Sequence, residues 1–120
     1  MAHVFSGLPA GPGACELLAP AQHAAELSPD VTLTWKADPA ATSWLVEVAS
    51  DEAFEVPVFT TTVARGAVPM KTGSVEVRLG EFAVSQFWWR VTARNDRGFV
   101  RSATRDFTIL ADGRRLLLGR

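Results

Sequence analysis

The stretch FWWRVTARNDRG, residues 87 to 98, constrains the chain more than any other. Phe87, Trp89, Val91 and Ala93 fall on one face of an extended strand, and Trp88, Arg90, Thr92 and Arg94 fall on the other. A strand with one aromatic and aliphatic face reads as a central strand of a two-sheet sandwich. It runs into Asn95-Asp96-Arg97-Gly98, where Asn or Asp bonds its own backbone and Gly takes positive φ, so a hairpin return is expected. If Phe87, Trp89 and Val91 face inward, Trp88 faces out, over Leu45 of a neighbouring strand and beside Arg90.

Upstream, Val31, Leu33 and Trp35 alternate with Thr32, Thr34 and Lys36, a half-buried strand ended by Ala37-Asp38-Pro39. In Ser43 to Ala49, Trp44, Val46 and Val48 share one face, and Leu45, Glu47 and Ala49 the other. Ser50-Asp51-Glu52 then turns the chain, and Phe54 is positioned to close the sandwich end. Val58 to Val63, Thr-rich and preceded by Pro57, fits an edge strand. Residues 66 to 73 read as loop, and Ser74 to Leu79 points Val75, Val77 and Leu79 inward until Gly80 breaks it. Phe99 to Leu110 supplies the last strand, with Phe107 and Ile109 inward. Arg105 shares their parity, so either a bulge or a position at the open rim must accommodate it. Cys15 to Pro20 reads as a short first edge strand stopped by Pro20, and Ala21 to Leu27 as a loop or a broken continuation of that edge.

Seven short strands with turn signals between them predict an all-β Greek-key sandwich. By parity, Trp35, Trp44 and Trp89 share one inter-sheet core with Leu33, Val46, Leu79 and Val91. At 120 residues the chain has the size of one domain, over residues 15 to 110. Residues 1 to 14 form a Gly/Pro-rich extension, either a flexible leader or a docking arm, and residues 111 to 120 form a tail. Its Leu116, Leu117 and Leu118 are a costly run to leave in water, so the tail is either an attachment segment or a linker remnant.

VTLTW at 31 to 35, SWLVEVASDEAF at 43 to 54, SVEVRL at 74 to 79 and FWWRVTARNDRG at 87 to 98, followed by Ser102 and DFTI at 106 to 109, resemble a bacterial fibronectin type III domain. The resemblance covers about residues 15 to 110 and implies an immunoglobulin-like sandwich. It also implies core roles for Trp35, Trp44, Leu79 and the Trp89-to-Val91 run. Phe87 stands where the family carries its corner tyrosine, and the chain has no tyrosine, so the phenol hydrogen bond of that corner is absent.

No catalytic constellation emerges. His3 lies in the leader and His23 in the first loop, neither beside a plausible nucleophile at a strand end. Lys71-Thr72-Gly73 matches a motif of penicillin-recognising enzymes, but no Ser-x-x-Lys accompanies it. Asp51, Glu52 and Glu55 read as a solvated hairpin end before they read as a calcium or sugar site. The single Cys15 excludes an internal disulfide and has no basic neighbour in sequence, so a structural role is favoured. No cofactor is implied.

Residues 1 to 60 hold eight acids against one lysine, and residues 61 to 120 hold five acids against eleven Lys or Arg. In a sandwich these interleave and largely cancel, so nucleic acid is not expected as a partner. No run of about 18 apolar residues could span a membrane. The first residues lack a basic start and a continuous apolar stretch, so they do not read as a secretory signal. A cytoplasmic location is expected unless the chain is a fragment or part of an exported assembly. The reading is a non-enzymatic interaction or spacer module, a protein-binding subunit of a larger assembly. Its candidate contact residues are Trp88, Arg90, Leu45 and Arg94 on the sheet, with Leu116, Leu117 and Leu118 in the tail. On the alternative reading that Trp88 merely shields its own sheet, this strip is not a contact surface. Alternatives for the whole chain are a carbohydrate-binding sandwich, with a glycan stacked on Trp88 beside Arg90 and Glu47, or an accessory domain of a longer extracellular enzyme.

Overall fold

The alternating stretches become strands that pack as two sheets in the computed structural model, which describes residues 15–67, 71–79 and 86–109. In chain order they are β1 (Leu17–Ala19), β2 (Ala24–Leu27), β3 (Asp30–Lys36), β4 (Ser43–Ala49), β5 (Pro57–Ala64), β6 (Thr72–Arg78), β7 (Gln86–Asn95), β8 (Gly98–Arg101) and β9 (Arg105–Ile109). A three-stranded sheet runs β1-β3-β6. The larger sheet runs β2-β9-β7-β4-β5, with β8 also paired to β7.

The nine segments make the seven strands expected. β1 and β2 are halves of one strand interrupted around Pro20: the first half pairs antiparallel with β3, and the second crosses over to pair parallel with β9. β8 and β9 are likewise halves of one strand, both lying along β7. Between them the buried Ser102 holds the break to β7: its amide donates to Val91 O at 2.8 Å, and its hydroxyl accepts from the Val91 amide at 3.0 Å. The hairpin from β7 to β8 forms as its residues dictate. Asn95 pairs with Gly98, the Arg97 amide donates to Asn95 Oδ1 at 2.8 Å, and Gly98 adopts φ 151°, a region L side chains rarely enter.

The core lies where parity placed it. Trp35, Trp44, Trp89, Leu33, Val46, Leu79, Val91, Phe87 and Phe107 are all fully buried. The rings of Trp35 and Trp44 meet across the sheets, centroids 6.3 Å apart and tilted by 52°, and Phe87 packs on Phe107 at 5.9 Å. Fully burying such side chains is worth roughly 1.5 to 3 kcal/mol each, so this aromatic layer, rather than any covalent link, holds the sheets together.

Two local expectations are corrected, and of the two alternatives for Arg105 the rim position is the one observed. Thr72 and Gly73 belong to β6 and not to a loop: Gly73 pairs with Trp35 in register and is buried beneath its indole. The strand after the hairpin is interrupted at 102–104, because Ser102 turns its polar groups onto β7 instead of continuing the ladder. Arg105 needs no bulge, since the β7–β9 register is continuous through Trp89↔Arg105. Its guanidinium sits at the rim, donating from Nη1 to Pro20 O at 2.9 Å and Leu18 O at 3.3 Å, the carbonyls exposed where β1 gives way to β2. The Gly/Pro leader, the tail with Leu116, Leu117 and Leu118, and Gly80 lie outside the described residues.

Candidate functional site

The outward face of β4 and β7 carries the sequence-predicted contact residues, and the strand register fixes how they sit. Trp88 stands opposite Ala49, Arg90 opposite Glu47, Thr92 opposite Leu45 and Arg94 opposite Ser43. Leu45 is therefore not beneath Trp88, as expected, but two pairs away, about 13 Å along the strand. Trp88 is half-buried, between the fully open and the fully shielded alternatives. Trp88 and Arg90 are side by side on β7; Leu45 and Arg94 flank Thr92 nearer the hairpin.

Arg90 is held on two sides. Its Nε donates to Glu47 Oε1 at 2.9 Å, and the two side chains are only 19% and 21% exposed. Its guanidinium carbon lies 3.9 Å from the centroid of the Phe54 ring. Phe54 thus covers the outer face of the sheet instead of closing the sandwich end. The turn before β5 puts it there. Asp51 accepts the Glu55 amide at Oδ2 (2.9 Å) and the Val56 amide at Oδ1 (2.7 Å), and the Phe54 amide bonds Asp51 O, which holds Phe54 at φ 58°. These amides, the Glu55 N–H foremost, keep the Asp51 carboxyl below its ordinary pKa. Asp51 is thereby committed to the turn. Among the described residues no three His, Cys, Asp or Glu side chains gather to hold a metal ion.

Beyond Arg90 the face opens. Arg94 is exposed, and across the hairpin it pairs with Phe99, which is 66% exposed; Arg101 pairs with Thr92. Neither Arg94 nor Arg101 has an ion-pair partner among the described residues. Phe99 and Arg101 were missed in the sequence reading, although the two-residue turn carried the signal: with Asn95 opposite Gly98, residue 99 must share the face of residue 94. Thr92, between Arg101 and Leu45, is 3% exposed, and its hydroxyl finds no hydrogen-bond partner among the described residues.

The other chemistry-bearing residues are placed apart. His23 meets Asp106, Nδ1 to Oδ1 at 2.6 Å, while its own amide donates to Asp106 O; Gln86 Nε2 reaches the second carboxylate oxygen at 3.2 Å. No serine, threonine or cysteine side chain bonds to His23 among the described residues, so this pair fastens β2 to β9. Cys15 is buried in the core, where desolvation and then the charge of Asp38 push its thiol pKa up to about 11. Arg65, which nothing in the sequence singled out, lies 4.8 Å from the Trp44 ring centroid and donates to Ala41 O at 2.8 Å and to Asp38 O, capping one end of the core. No helix among the described residues is long and apolar enough to cross a membrane.

No family model matches the chain, and no curated protein matches it. Among solved structures it is similar to the fibronectin(III)-like modules of CbhA from Clostridium thermocellum, with a TM-score of 0.52 and 11% identity, over 79% of this chain and 93% of that one. At that identity the likeness establishes the fold: the sandwich that the strand pattern predicted, of the fibronectin type III kind that the resemblance implied.

Proposed function

We propose that this fibronectin type III-fold domain is a non-enzymatic interaction module, a protein-binding subunit of a larger assembly, and that it contacts its partner through the β7–β8 end of the outer face. The observation that carries this reading is the pairing of the exposed Phe99 with Arg94, an apolar ring beside a cation, flanked by Arg101 and Leu45. Aromatic and arginine side chains dominate binding energy when a partner desolvates them, at roughly 2 kcal/mol or more each. The chemistry suits a partner surface that offers acidic side chains around an apolar one. Trp88 extends the strip, while Arg90 serves it as a fixed, already-paired support. The carbohydrate reading is less favoured, because Arg90 and Glu47 are paired with each other and only about a fifth exposed, with Phe54 stacked on the guanidinium.

The test is co-purification from the native source, followed by direct binding of the recovered partner to the wild type and to Arg94→Glu and Phe99→Ala variants. Each substitution is expected to weaken binding at least about tenfold with the melting temperature unchanged. Equal affinity of both variants would remove this face from the function, and a chain that recovers no partner would leave only a spacer. Deleting residues 111 to 120 separates the tail: retention of the same partner in the same amount would show that Leu116, Leu117 and Leu118 do not dock.

A further inference from the structure

The larger sheet ends at β5, and nothing among the described residues pairs with its outer edge. Its sequence is PVFTTTVA. Free edges in stable monomers are ordinarily short, charged, bulged or covered, because unpaired amides and carbonyls invite another strand. The other edges among the described residues follow that rule: β1 has three residues, β8 has four and carries Arg101, β2 is kinked by Glu26 at φ 56°, and β6 carries Glu76 and Arg78. By contrast, β5 is eight residues long and has no charged side chain. Its sole proline is the first residue, where it leaves the rest of the edge intact, and its register against β4 is unbroken from Phe59 to Ala64.

We propose that this edge pairs antiparallel with the same edge of a second copy, about a two-fold axis at Thr61. The segment is self-complementary there. Thr60 falls opposite Thr62 of the second copy and Phe59 opposite its Val63, so threonine meets threonine on the exposed face and aromatic meets β-branched on the half-buried face. Charge fixes the direction. The turn leading into β5 carries Asp51, Glu52 and Glu55, whereas the other end of the sheet carries Arg65, Arg94 and Arg97 against Asp38 and Asp96, a smaller net charge of the opposite sign. Antiparallel pairing sets the acidic end of each copy beside the basic end of the other; parallel pairing would oppose like charges. Such an interface is isologous, closes at two copies and joins the two large sheets into one. It uses the sheet's edge and leaves the Phe99–Arg94 face open.

The test is sedimentation equilibrium of the full chain across a concentration series. The wild type is expected to show a monomer–dimer equilibrium. Thr60→Lys/Thr62→Lys, both on exposed positions, places lysines opposite lysines across the axis and is expected to weaken dimerisation at least about tenfold, with an unchanged thermal melt at dilutions where the wild type is monomeric. Mixing it with Thr60→Glu/Thr62→Glu is expected to restore a heterodimer, because position 60 of one copy faces position 62 of the other. A wild type that stays monomeric up to about 1 mM overturns the proposal, whether another protein's strand or a different segment of this chain occupies the edge. A dimer that persists undiminished in the lysine variant overturns it as well, since that dimer would use another surface.

Discussion

The indole of Trp35 lies so close over Gly73 of the adjacent strand that a Cβ at Gly73 would stand 2.4 Å from Cε2 and Cζ2 of the ring. The two residues are direct partners in the β3–β6 register, and Trp35 is fully buried. The missing side chain at Gly73 is what lets the largest residue of the smaller sheet lie flat against its own layer while still reaching Trp44.

Gly73→Ala is therefore expected to destabilise the fold by about 1 to 3 kcal/mol through overpacking against a ring that cannot bend away. Gly66→Ala, at a position where no described residue other than its chain neighbours lies within 4 Å of the added carbon, is expected to stay within about 0.5 kcal/mol. Urea denaturation of the two variants checks this; equal midpoints would mean that the Trp35 ring can vacate the space.

The two tryptophan environments should separate cleanly. Trp35→Ala removes a fully buried ring and is expected to cost about 3 to 5 kcal/mol, while Trp88→Ala, half-buried on the outer face, is expected to cost about 1 kcal/mol. The same denaturation series reads both. A loss at Trp88 as large as that at Trp35 would mean that the outer strip is needed for folding, and would weaken its use as a contact surface.

Thr92→Val should raise stability, by about 1 kcal/mol. The position is buried and within a strand, valine has the same branched shape, and the hydroxyl it replaces has no hydrogen-bond partner among the described residues. A lower denaturation midpoint in this variant would show that the hydroxyl is bonded in solution.

Cys15 is expected to resist a water-soluble thiol reagent at neutral pH and to react stoichiometrically once the chain is unfolded in urea, because burial holds the thiol protonated up to about pH 11. The folded pKa lies above the unfolded thiol's value of about 8.5. The stability tied to the neutral thiol is therefore fully present below that value and is lost as pH rises through the folded value of about 11. Comparing the denaturation midpoints of wild type and Cys15→Ala across that interval isolates the effect: the difference between them should shift against the wild type as pH rises. A constant difference would mean that the thiol is exposed.

Alternation alone settled which side of each strand faces the core, because a period of two leaves no freedom once one face is aromatic and aliphatic. Trp35, Trp44, Trp89 and Phe107 were placed by that rule, and the Asn95-to-Gly98 turn by its own chemistry. The resemblance carried by those same strands pointed to the sandwich type. What alternation cannot supply is register between strands distant in sequence, which depends on how the whole sheet assembles. Parity alone therefore puts Leu45 beneath Trp88, where the register sets it beside Thr92, and it leaves Gly73 in a loop, where the register makes it the floor under Trp35. Long polar side chains were the least legible, since their hydrogen bonds end on carbonyls exposed by the fold itself. Arg105 finds Leu18 and Pro20, 87 and 85 residues away, and Arg65 finds Ala41 and Asp38 beside Trp44, only because the tertiary structure brings unpaired carbonyls to the rim where those arginines already stand.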